Sequence, residues 1–251
     1  MHRNKKLRSL PINRIIPNLV TLTALAIGVS SIRFSLVEKW EYALFSLVFA
    51  AILDGIDGRI ARLLRGTSKF GAELDSLADF SSFGIVTGLV VYLYAFSHYG
   101  LIGWVACLFY IICMGMRLAR FNVFLQGDAE VAPKSFFLGV SAPIGSLLAL
   151  VPIMIDFQFE SKNIIPAPLY ALYITVVAFS LISRVPTFSF KKGAIAPQYT
   201  WLVFVLLGIS IVSFVTVPWL TLLVLLAIFL ITIPFSYKKY ASERNQEIKD
   251  A

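Results

Sequence analysis

Charge is scarce in this chain, and that scarcity excludes most soluble folds. Asp, Glu, Lys and Arg together make up 14% of the 251 residues against 58% hydrophobic residues, and the mean hydropathy is +0.81, far too apolar for a water-soluble domain. Cysteine is nearly absent. Cys107 and Cys113 stand six residues apart on different sides of a helix, which provides neither a disulfide framework nor a metal cluster and assigns both to packing. The strict alternation of a membrane β-barrel is missing too. The apolar runs are instead continuous and about 20 residues long, as helices crossing roughly 30 Å of hydrocarbon require. No low-complexity tract or internal repeat interrupts them, and the loops are too short for a soluble domain. A cleavable leader is also not expected, because the first apolar run carries Asn18, Thr21 and Thr23 and lacks a small-residue cleavage site before Arg33.

What remains is an all-α polytopic membrane protein. Eight spans are expected, at about 15–34, 40–63, 73–97, 101–122, 136–155, 166–185, 199–217 and 218–236, with Pro218 dividing the last two. The net charge of +8 would suit a nucleic acid, but its distribution points elsewhere. Only Arg33, Lys39 and Lys162 of the 22 basic residues fall opposite the N-terminus, leaving 22 − 3 = 19 on its side. That asymmetry predicts both termini in the cytoplasm. The clusters are Arg3, Lys5, Lys6, Arg8 and Arg14; Arg59, Arg62, Arg65 and Lys69; Arg117, Arg120 and Lys134; Arg184, Lys191 and Lys192; and the C-terminal tail. Near the surface each contributes about 1 kcal/mol of attraction to anionic lipid, so membrane lipids rather than nucleic acid are the expected partners.

Against this background one segment concentrates chemistry: Asp54-Gly-Ile-Asp57-Gly58-Arg-Ile-Ala61-Arg62, eight residues, then Gly71, Asp75 and Asp79. Helical spacing puts Asp54 and Asp57 on one face and Asp75 and Asp79 on one face of the next helix. A hairpin would aim four carboxylates at one place. Close pairs of such anions repel by several kcal/mol at an effective dielectric of about 20, so the arrangement calls for divalent cations. Arg59 and Arg62 follow on the same helix, where a cation suits a phosphate. Gly55, Gly58 and Ala61 remove bulk beside the carboxylates, and Gly66-Thr67-Ser68 provides the turn into the third span.

The pattern D-x-x-D-G-x-x-A-R, eight residues, G-x-x-x-D-x-x-x-D resembles the signature of the CDP-alcohol phosphotransferases at every fixed position. The resemblance implies a six-helix transferase core, a homodimer, a polar cavity open to the cytoplasm, and two Mg²⁺ or Mn²⁺ ions per protomer. By that likeness Asp54, Asp57 and Asp75 would bind one ion, while Asp79 would help bind a second and act as general base. Gly58, Arg62, Ser68 and Gly71 would contact the CDP moiety. Asn18 and Thr21, in the run Pro17-Asn18-Leu-Val-Thr21, resemble the family's N-terminal nucleotide contacts and equally suit a helix start with a threonine bonded to its own backbone. Two ions bridging a pyrophosphate would make the nucleotide a better leaving group while a carboxylate takes the proton of an attacking hydroxyl.

The acceptor alcohol must be read outside this motif. Arg117-Leu-Ala-Arg120-Phe121-Asn122 resembles the R-x-A-R-F-N segment of phosphatidylserine synthases. Gly139-Val-Ser141-Ala142-Pro143 is similar to their G-x-P-x-P stretch, departing from it at Ser141. The resemblance implies CDP-diacylglycerol and L-serine as substrates and phosphatidylserine and CMP as products. Arg117 and Arg120, at i and i+3, could hold a carboxylate by charge-assisted bonds, with Asn122 beside them; both arginines also suit headgroup contact. Glycerol 3-phosphate, inositol phosphate or choline stay open as acceptors. A transporter lined by intramembrane acids would leave the fixed Gly and Arg offsets unexplained. An aspartate-rich prenyltransferase would be expected to carry two separate acidic repeats. The expected organisation is a basic segment at 1–14, a transferase core at 15–190, two additional helices at 191–236 and a cytoplasmic tail at 237–251, in a bacterial or archaeal cytoplasmic membrane.

Overall fold

The computed structural model describes residues 12–125, 136–162, 164–183, 186–188 and 200–233. Arg3, Lys5, Lys6, Arg8, Lys134, Arg184, Lys191, Lys192 and the tail at 237–251 lie outside the described residues. Helix α1 (Ile12–Leu36) turns through Val37–Lys39 into α2 (Trp40–Leu63), with Glu38 in the left-handed region at φ 57° and the Lys39 amide donating to Phe34 O at 2.9 Å. The two helices pack antiparallel along their length. Helix α3 (Lys69–Phe96) leans on both, and Gly28 of α1 lets it come close: a Cβ there would lie 2.5 Å from Ser82 Oγ.

The turn between α2 and α3 is built from local rules. The Gly66 amide donates to Ala61 O at 2.9 Å and the Arg65 amide to Arg62 O at 3.2 Å, a Schellman closure with Arg65 in the left-handed position at φ 51°. Ser68 then caps α3, its hydroxyl accepting from the Gly71 amide at 3.0 Å. The expected Gly66-Thr67-Ser68 turn is therefore present. Helix α3 starts at Lys69 rather than at 73, because the cap fixes its first turn. Immediately after Asp79 it widens to π geometry over Phe80–Val86, and again over Tyr92–Phe96.

Helix α4 (Gly100–Leu125) runs back, followed by strand β1 (Phe136–Leu138), α5 (Ala142–Ala149), α6 (Val151–Gln158), α7 (Ala167–Ile182), strand β2 (Pro186–Phe188), α8 (Thr200–Thr216) and α9 (Pro218–Ile233). Two sequence expectations are corrected here. Residues 136–138, expected to open a spanning helix, instead pair antiparallel with 186–188, since Gly139 at φ 84° cannot sit in a helix and Pro143 suits a helix start. The fifth span is also not continuous. Pro152 has no amide to offer Leu148, and the chain breaks at Leu150. The Leu148 and Ala149 carbonyls accept instead from Tyr173 and Tyr170 hydroxyls, both at 2.8 Å. The division at Pro218 falls where expected.

The core is shared by α2 to α7 and α9 and includes Leu44, Phe83, Tyr110, Met114, Ile153, Ile174 and Trp219. Cys107 and Cys113 are free and buried in it, as packing residues should be. Among the described residues three helices, Ile15–Leu36, Lys69–Phe96 and Gly100–Val123, are long and apolar enough to cross a membrane, and α7, α8 and α9 are shorter apolar helices. The protein is an all-helical integral membrane protein apart from its short β ribbon. Helix α8 buries no residue.

Candidate functional site

One end of the bundle gathers the start of α1, the end of α2, the start of α3 and the end of α4. There the carboxylates expected to converge do so. One oxygen each from Asp54, Asp57 and Asp75 lie within 4.8 Å of one another, and Asp79, one turn on from Asp75, lies within hydrogen-bonding reach of Asp54. Asp57 is the least exposed to solvent, at 4%. Thr21 holds it from α1, donating to Asp57 Oδ2 at 2.7 Å with Pro17 O at 3.2 Å as a second partner. Thr21 is thus both bonded to its own backbone and tied to a member of the acidic cluster. Ala24, Ala50, Ala78 and Phe83 floor a small recess beneath.

The donor set fits a hard divalent cation. Mg²⁺ bonds oxygens at about 2.1 Å, so octahedral ligands lie about 3.0 Å apart when adjacent and about 4.2 Å when opposite; the three carboxylate oxygens, within 4.8 Å of one another, would draw together around an ion. No described basic residue forms an ion pair with the four acids. Their mutual repulsion is then met by no direct ion pair. Arg117 is near enough to act electrostatically on Asp54 and Asp79 without being bonded to either.

The rim carries the remaining residues of the motif. Asn18 lies against Gly71, where a Cβ would come 2.9 Å from Asn18 Oδ1, so only glycine leaves the asparagine its place. Ser68 sits in the same corner as the cap of α3. Gly58 is exposed with open space before it, and Arg62 is exposed with its Nε donating to the Gly58 carbonyl at 3.1 Å. Across the site, the Asn122 side-chain oxygen accepts from Ser76 at 2.9 Å. Arg117 Nε donates to Val140 O at 2.7 Å, and its Nη1 is buried with no partner. Arg120 donates to Ile182 O at 2.6 Å and to Ser183 O at 3.3 Å.

With this geometry in place, the sequence model of the CDP-alcohol phosphatidyltransferase family matches residues 14–234, from the foot of α1 to the end of α9. The chain belongs to the CDP-alcohol phosphatidyltransferase family. Among its relatives, the CDP-diacylglycerol–serine O-phosphatidyltransferase of Mycobacterium leprae is 34% identical over 224 residues, covering 89% of this chain and 74% of that one. The enzyme of the same name from Mycobacterium tuberculosis is 31% identical over 90% of this chain and 79% of its own length. That of Helicobacter pylori is 32% identical over 73% and 76%. For this family member the acidic cluster is the candidate active centre.

Several residues that shape the centre were not singled out in the sequence. Ser76 had a signal, a polar residue between Asp75 and Asp79 on the same helix. Val140, Ile182 and Ser183 had none, because their backbone carbonyls do the work. Ser141, where the sequence departs from G-x-P-x-P, holds φ −66° and ψ 154°. That is the φ a proline ring would impose, so the turn keeps its shape without proline.

Proposed function

We propose that the chain transfers the phosphatidyl group of CDP-diacylglycerol to the hydroxyl of L-serine, giving phosphatidylserine and CMP, at a divalent-metal centre. The observation that carries this reading is the convergence of Asp54, Asp57 and Asp75 in a chain whose curated relatives are named for that transfer. Asp54, Asp57 and Asp75 would hold one Mg²⁺ or Mn²⁺, and Asp79 would help to hold a second. Bound there, such ions would supply positive charge to the pyrophosphate and ease departure of the nucleotide.

The chain's own groups do the rest. Asn18, Thr21, Gly58, Arg62, Ser68 and Gly71 border the CDP side, with Thr21 acting through Asp57. Asp79 accepts the serine hydroxyl proton while that oxygen bonds to the phosphorus bearing diacylglycerol, and the bridging P–O bond breaks to release CMP. Arg117, Arg120 and Asn122 border the acceptor side. The site faces the cytoplasm with both termini, following the basic-residue asymmetry, in a bacterial or archaeal membrane. The protein acts as a homodimer whose transferase core spans 15–190, with the helices of 191–236 added outside it.

Purified protein with CDP-diacylglycerol and labelled serine, with and without chelator, tests this. CMP release should need divalent metal and be lost in Asp79→Asn. Unchanged release in either case removes the mechanism. Turnover with glycerol 3-phosphate, inositol phosphate or choline but not with serine removes the acceptor assignment alone.

A further inference from the structure

Arg117 and Arg120 look equivalent in sequence, three residues apart on one helix face, but the fold uses them differently. Arg120 reaches the C-terminal end of α7, where helix carbonyls lack intrahelical partners, and donates to Ile182 O at 2.6 Å and Ser183 O at 3.3 Å. Its guanidinium also borders Gly139, where a Cβ would lie 3.4 Å from Arg120 Nη2 and within 3.0 and 3.1 Å of the Leu181 and Ser183 carbonyls. Gly139 is held in the left-handed region at φ 84°. The next residue, Val140, presents its carbonyl to Arg117 Nε at 2.7 Å. Arg117 is thereby anchored through one nitrogen. Its Nη1 is buried and unpartnered, on the side chain whose charge acts on Asp79 and Asp54. A buried donor left unmade is expensive, and a planar guanidinium suits a carboxylate better than a single point charge would.

We infer that Arg117 alone recognises the acceptor's α-carboxylate, while Arg120 is a positioning residue that fixes the Gly139–Val140 turn against which Arg117 is set. The inference rests on the serine reading above and adds a division of labour to it. The end of α7, Arg120, the turn, and Arg117 form one chain of hydrogen bonds and close contacts leading to the acidic cluster. Losing Arg120 loosens the turn and blunts Arg117. Losing Arg117 removes the recognition itself.

The test uses the full-length protein in detergent, CDP-diacylglycerol, and two acceptors: L-serine, and ethanolamine, which is serine without its carboxylate. Arg117→Ala should raise the KM for serine about 30-fold or more, leave the KM for CDP-diacylglycerol within about threefold, and abolish the preference for serine over ethanolamine. Arg120→Ala should raise the serine KM by a smaller factor, keep that preference, and be partly rescued by Arg120→Lys, which can still reach one α7 carbonyl. In the Arg117→Ala background, Arg120→Ala should add less than about twofold to the serine KM, because both act through the same contact. Should Arg117→Ala not fold, Arg117→Gln carries the same expectation. Retained serine preference in the Arg117 variants, or fully multiplicative KM effects of the two substitutions, overturns the inference while serine turnover by the unmodified protein leaves the acceptor reading standing. An unmodified protein that ignores serine and uses another alcohol overturns both.

Discussion

The two ends of the bundle each bury acid, and they do so in opposite ways. At the far end Asp156, 5% exposed, accepts from Tyr94 Oη at 3.0 Å and from the Ile164 amide at 3.0 Å, one donor on each oxygen. Trp40 packs edge-on to Tyr94, and Phe157 lies tilted against Trp219, closing that end with aromatic rings. At the other end four carboxylates crowd together with one neutral side-chain donor, Thr21, and no ion pair among the described residues. A buried acid with its hydrogen bonds made is a structural strut. A cluster of acids with no ion pair of its own, and only Arg117 near enough to act on it through space, is a place prepared for cations.

The largest effect that would sharpen this contrast is on turnover. Asp79→Asn should lower kcat by about a thousandfold or more, combining loss of the base with a weakened ion site. Asp156→Asn should leave kcat within about twofold. A comparable loss of kcat in both, measured as CMP release, would erase the distinction.

Next is the response to metal. Mg²⁺ or Mn²⁺ should raise the melting temperature of the unmodified protein in detergent, because a ligand that binds only the folded state stabilises it. The rise should persist in Asp156→Asn and vanish in Asp57→Asn. Thr21→Val removes the hydrogen bond that orients Asp57 and should weaken metal affinity by about 10- to 100-fold, read from the metal dependence of CMP release. An unchanged metal titration would reduce Thr21 to a helix-packing residue. The smallest effect belongs to the far end, where Tyr94→Phe should cost about 1 kcal/mol of stability with the KM values unchanged.

The acidic cluster was legible because helical spacing is local. Asp54 and Asp57, then Asp75 and Asp79, share faces by counting residues, and the turn at Gly66–Ser68 forces the two helices to meet. The Gly71 position was legible for the same reason, although its purpose, room for Asn18, was not. The break at Leu150 was hidden in a run that read as one span, since Pro152 near a helix start and Pro152 inside a helix look alike until the Tyr170 and Tyr173 hydroxyls are seen on the freed carbonyls. Residues 136–138 read as helix because apolar content was the signal, and strand pairing with 186–188 involves a partner 50 residues away.

The two arginines mark the limit most clearly. By composition and spacing alone the chain determined a helical membrane protein with one charged centre, since hydrophobic run length and the 3.6-residue period act within a few turns. Which arginine faces that centre, which carbonyl holds the other, and which hydroxyl steadies Asp57 depend on groups brought in from as far as 63 residues away. Only the packed bundle decides them, because a hydrogen bond selects its partner by distance and direction in space, and neither is written in the local order of residues.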